Sequence, residues 1–174
     1  MATTISGVPG NDVIIVDESD AGKIDVVELP NADATEIAVN SPIKDLQLGL
    51  KGDNAVAIAG ARLVDAVITN EAPAGKTAEF TLAVTKAKSL DFVTTGKGST
   101  DLTVAEGRFM KGSITTAKGS APDSVTFGPA STLKSVAIST GKGADSLTFN
   151  GRMKGKTTVE SGNGIAKLTR GTLE

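Results

Sequence analysis

The chain has 174 residues, enough for one sizeable hydrophobic core, and we read 1–174 as a single domain. It contains no His, Cys, Trp or Tyr, and its five aromatic residues are all Phe, which removes disulfides, thiolate and imidazole catalysis and the usual zinc ligands. The net charge is −2, yet residues 1–75 carry 12 acidic and 4 basic side chains whereas residues 76–174 carry 8 and 14.

The first ten residues lack the basic start and apolar run of a secretory signal, and no stretch approaches the roughly 18 to 20 apolar residues of a membrane span. A soluble chain made in the cytoplasm is the expectation. Short apolar runs then follow at nearly regular intervals, each after a cluster of Gly, Asn, Asp or Pro. The first strands of the repeat are Val13 to Val16, Glu36 to Val39, Ala55 to Ile58, Phe80 to Leu82, Leu102 to Val104, Val125 to Phe127, Leu147 to Phe149 and Lys167 to Thr169. About ten residues after each comes a second: Ile24 to Leu29, Ile43 to Leu48, Leu63 to Ile68, Leu90 to Val93, Ile114 to Thr116, Val136 to Ile138 and Thr157 to Val159. These start with related triplets, Ala87-Lys88-Ser89, Met110-Lys111-Gly112, Leu133-Lys134-Ser135 and Met153-Lys154-Gly155.

The turn segment Gly141-Lys142-Gly143-Ala144-Asp145-Ser146-Leu147-Thr148-Phe149 has relatives around residues 75–82, 96–104 and 118–127. Its acidic residue recurs at Glu79, Asp101, Asp123 and Asp145, each 22 residues after the last. Residue-level similarity at a fixed period is the mark of stacked repeats. Within the first strands, Leu147 and Phe149 point one way and Thr148 the other, because strand side chains alternate. The expected fold is therefore all-β, a parallel β-helix or solenoid of about 22-residue coils, with Thr81, Thr103, Thr126 and Thr148 as an outward column. An antiparallel β-sandwich is the alternative. Locally, Asn54 to Thr69 also places Val56, Gly60, Leu63 and Val67 on one helical face, and Asn70 to Gly75 is expected to bulge out as a loop.

The Gly-x-Gly-x-(x)-Asp-x-Leu pattern resembles the calcium-binding nonapeptide of repeats-in-toxin proteins, which implies Asp101, Asp123 and Asp145 as calcium ligands. That family pairs two nonapeptides in an 18-residue coil, whereas this chain has one per roughly 22 residues and lacks the double Gly. The competing role for each Asp is to cap its turn by accepting backbone N–H groups. In period and pattern the chain resembles right-handed parallel β-helix proteins, a group that includes polysaccharide lyases, phage tailspikes and other virion components. No phosphate-binding loop or nucleophile elbow is present, and no Trp or Tyr supplies a carbohydrate platform. No cofactor is expected beyond possible calcium.

The basic set Lys142, Arg152, Lys154, Lys156, Lys167 and Arg170 reads as a docking face; without interleaved aromatics it does not read as a nucleic-acid site, and no membrane contact is expected. A solenoid exposes a strand edge at each end unless it is capped, and neither a polar cap nor an amphipathic helix is legible. The expectation is a non-enzymatic structural protein with protein partners, a homo-oligomer or a subunit docked on a larger lattice. A virion role as capsid decoration or fibre subunit leads; a calcium-stabilised extracellular adhesion module is the alternative, and a polysaccharide-acting enzyme comes third.

Overall fold

The computed structural model describes residues 43–162 apart from 53, 60, 61, 117 and 118, together with the strand backbones at 13–16, 36–39, 165–167 and 172–173. Every regular element in this set is a strand: β1 (Val13–Val16), β2 (Glu36–Val39), β3 (Ile43–Lys51), β4 (Ala55–Ala59), β5 (Arg62–Ala72), β6 (Thr77–Gly96), β7 (Ser99–Thr115), β8 (Ser124–Leu133), β9 (Val136–Thr140), β10 (Ser146–Phe149), β11 (Arg152–Met153), β12 (Thr158–Ser161), β13 (Ile165–Lys167) and β14 (Thr172–Leu173). All pairing is parallel, with each strand stacked on its counterpart one coil away. The chain is a β-solenoid, and the antiparallel sandwich is excluded.

Each fully described coil has three sides. The first side stacks β1, β2, β4 and the starts of β6, β7 and β8, then β10 and β13. Its inward residues form two columns, Val56-Phe80-Leu102-Val125-Leu147 and Ile58-Leu82-Val104-Phe127-Phe149, all buried. The short second side contributes one inward column, Leu63-Ala87-Phe109-Leu133-Met153. The third side adds Leu48-Ile68-Phe92-Ile114-Ile138. Alternation explains this directly: apolar residues at every second position face the axis, and in-register stacking fuses them across coils. Complete burial of a Leu, Ile or Phe side chain contributes roughly 1.5–3 kcal/mol. All five Phe are buried, with Phe80 against Phe92 edge to face at 4.9 Å and Phe127 tilted on Phe149 at 5.3 Å.

Corners need backbone that ordinary residues adopt poorly. In β7 the short side is bracketed by Gly107 and Gly112, at φ 133° and 146°. A Cβ on Gly112 would overlap the Leu90 carbonyl of the coil below, and one on Gly107 would overlap the Val84 carbonyl. Register shifts in the β6–β7 and β7–β8 ladders fall at the same first corner, at Leu82 to Lys86 and Val104 to Glu106.

The Thr column stands as expected, Thr81 pairing with Thr103, Thr126 and Thr148 in turn. Ala55–Ala59 and Arg62–Ala72 are strands, as the repeat requires, and their alternating buried residues rule out the helical alternative there. Three local expectations differ. Asn70 to Ala72 stay in β5, with Asn70 buried against the stack and the turn delayed to Pro73. The last first-side strand is Ile165–Lys167, with Ala166 above Leu147, instead of 167–169; residues 168–170 lie outside the described set, as does the proposed strand at 24–29. The triplet at 110–112 is out of phase by one, since Phe109 pairs with Ala87 and Lys111 with Ser89.

Candidate functional site

The short side carries the most distinctive surface of the molecule. Its inward column is flanked by outward residues on both sides, so two columns project to solvent. One reads Arg62, Lys86, Arg108, Thr132, Arg152. The other consists of the residues that directly follow the inward column, Val64, Lys88, Met110, Lys134 and Lys154, the three lysines exposed and Val64 and Met110 half-buried. Seven of these ten positions are cationic and none is acidic. Neighbouring rungs lie about 4.8 Å apart, so the ridge runs about 19 Å from Arg62 to Arg152.

Like charges one rung apart repel by roughly 0.9 kcal/mol in water. Among the described residues, Arg62, Lys86, Lys88, Arg108, Lys134 and Arg152 form no ion pair that would offset this. The ion pair between described residues is Lys51 with Glu71 at 3.9 Å, on the third side. Two shallow hollows of about 360 and 560 Å³ run along the ridge, floored by Met110 and Val64 and by the aliphatic stems of the cations.

A second constellation lies inside the solenoid, at the corner where the third side turns into the next coil's first side. Two buried columns meet there, Asn54-Ala78-Thr100-Asp123-Asp145 and Asn70-Thr94-Thr116-Thr140. Asn54 Nδ2 donates to Asn70 Oδ1 at 2.9 Å, and the Thr100 hydroxyl donates to that of Thr94 at 2.9 Å. Asp123 Oδ1 accepts the Thr100 N–H at 2.7 Å, and Asp145 Oδ1 accepts the Asp123 N–H at 3.0 Å. Each carboxylate thus caps a backbone donor of the coil below, the turn-capping role.

The remaining oxygens are less well served. Asp123 Oδ2, Asp145 Oδ2 and the hydroxyls of Thr116 and Thr140 are buried and complete no hydrogen bond. Burial pushes the Asp123 carboxyl above the usual Asp range; the nearby Thr116 hydroxyl and the Thr100 N–H oppose this, and the neighbouring Asp145 charge adds to it.

The three acidic residues singled out for calcium do not share one environment. Asp101 pairs with Ser124 rather than Asp123, because that coil is 23 residues long, so Asp101 faces solvent while Asp123 and Asp145 face inward, 2% and 3% exposed. Among the described residues no three acidic side chains converge. Of the basic set, the structure places Arg152 and Lys154 on the ridge. Lys142 sits in the turn at the opposite corner and Lys156 just beyond β11, while Lys167 has only its backbone described and Arg170 lies outside the described residues. Reading charge density at the C-terminal end missed Arg62, Lys86, Lys88, Arg108 and Lys134. The signal was the repeat period applied to cations: Lys86 and Arg108 are 22 residues apart.

Compared with protein-family models, curated proteins and solved structures, the chain matches none.

Proposed function

We propose that this chain is a non-enzymatic structural subunit of an assembled particle, a virion component of the capsid-decoration or fibre kind. The observation that carries the reading is the stack itself. On the first side β1 pairs with β2 and β13 with β10 by the same parallel ladder that joins the coils between them, a bonding pattern that a strand of a partner can extend. Along the sequence the acidic excess lies in residues 1–75, 12 to 4, and the basic excess in residues 76–174, 14 to 8. Heterologous end-to-end contact, or docking of one end on a larger protein lattice, uses both features.

Sedimentation velocity across a concentration series, at low and high salt and with negative-stain imaging, tests this. Linear assemblies that lengthen with concentration and shorten with salt support it. A monomer under all conditions, or turnover of a polysaccharide, rejects it.

One observation favours a second reading, a calcium-stabilised surface module. The unpartnered Oδ2 atoms of Asp123 and Asp145 lie on adjacent rungs beside two unpartnered hydroxyls, a hard-oxygen set of the type calcium takes. Thermal unfolding in calcium and in chelator separates the two: a large calcium-dependent rise favours the second.

A further inference from the structure

We infer that the basic ridge of the short side is a binding surface for a linear anionic polysaccharide, one bearing a carboxylate or sulfate on successive sugars. This does not rest on the assembly role, since the ridge lies on the flank of the stack and not at its ends.

Three features select this class of ligand. The cations are held in line at rung spacing, with Arg62, Lys86 and Arg108 on three consecutive coils, Arg152 two coils further on, and no carboxylate among them. A one-signed, one-dimensional array complements a partner with the same property, which a regular acidic polymer has and a folded protein surface of mixed charges lacks. Its rigidity lowers the ordering cost of binding, because the backbone beneath is a continuous hydrogen-bonded stack.

The side chains have the right chemistry for the charged groups. Arg108 and Arg152 offer planar guanidinium forks that match carboxylate and sulfate, and Lys88 and Lys134 add mobile point charges on the parallel column. Between them, Met110 and Val64 floor open hollows that suit the C–H faces of pyranose rings.

Nucleic acid fits less well. Single strands bind through aromatic platforms together with charge, and every Phe here is in the core while the chain has no Trp or Tyr. The exposed large apolar residues among those described, Val67 and Val159, lie on the third side, away from the ridge.

The test is calorimetric titration of the full chain with alginate oligomers of graded length, with dextran and a 20-nucleotide oligo(dT) as comparison ligands. Binding is expected for alginate and absent for dextran, tightening with oligomer length until the polymer spans the ridge, about 19 Å. It should weaken steeply with salt. Arg108→Gln with Lys134→Gln is expected to weaken alginate binding roughly five- to tenfold. Lys97→Gln with Lys142→Gln removes the same charge from the turn corner and is expected to change it less than about twofold. Circular dichroism confirms that both doubly substituted chains stay folded. The inference fails if the two double variants weaken binding equally, if oligo(dT) binds as tightly as alginate, or if alginate does not bind at low salt.

Discussion

At the turn corner, polar side chains face inward and most find partners in a neighbouring rung; on the short side, cations face outward in a row of one sign. Both arrays repeat with the coil, so both multiply whatever one residue does. Inside, stacking turns single Asn, Thr and Asp residues into a ladder of hydrogen bonds, from Asn54 and Asn70 to Asp123 and Asp145. Outside, it turns single Lys and Arg residues into a line of like charge. A repeat thus satisfies polar groups cheaply where they pair with each other and concentrates them into a site where they repel.

Both arrays depend on the apolar columns beneath them, so the largest effect should come from breaking the core. Phe127→Ala, at a fully buried ring stacked on Phe149, is expected to cost about 3–5 kcal/mol by urea unfolding and to disorder seam and ridge together. Next comes a corner. Gly112→Ala places a Cβ into the Leu90 carbonyl at φ 146°, and a loss of about 1–3 kcal/mol is expected; an unchanged urea midpoint would mean that the corner is not built as described.

The seam itself distinguishes neutral from acidic rungs. Asp123→Asn keeps an acceptor for the Thr100 N–H, supplies a donor toward the Thr116 hydroxyl and copies the amide chemistry of Asn54 and Asn70. We expect it to stabilise the protein at neutral pH by about 1 kcal/mol. The sign follows from the raised carboxyl: the folded state holds this proton more tightly than the unfolded state. The Asp123 contribution is therefore most favourable at acid pH, and is lost as pH rises from the ordinary Asp value of 3.8 through the raised folded one. Urea midpoints of the two chains should converge at low pH and separate toward neutrality. The smallest effect belongs to the ridge, where Arg108→Gln should raise stability by a few tenths of a kcal/mol at low salt, and by nothing measurable at high salt, through relief of repulsion.

Much of the fold was legible because alternation and period are local properties written into each coil. The Leu-Thr-Phe and Val-Thr-Phe segments alone imply the first-side columns and the Thr rank. What misled was counting by a constant 22. The coil from Asp101 to Ser124 has one more residue, and a shift of one on a strand moves a side chain from the outer face to the core. That single residue separates solvent-facing Asp101 from buried Asp123. For the same reason the ridge was only partly visible: Arg152 and Lys154 stood out by local density, while Arg62, Lys86 and Arg108 join them only once corners and coil lengths are known.

The central claim is that equivalent positions of successive coils stack at a constant rise. Because the chain contains no Cys, spin labels placed in pairs report on this without background. Ala57→Cys, Thr81→Cys, Thr103→Cys and Thr126→Cys, each paired with Thr148→Cys, probe one outward column at four, three, two and one rungs. Electron paramagnetic resonance should give distances that shrink linearly by about 4.8 Å per rung, from about 19 Å for the most distant pair. Distances that fail to follow rung number, or that alternate between near and far as antiparallel strands would produce, would contradict the stack and the ridge built on it.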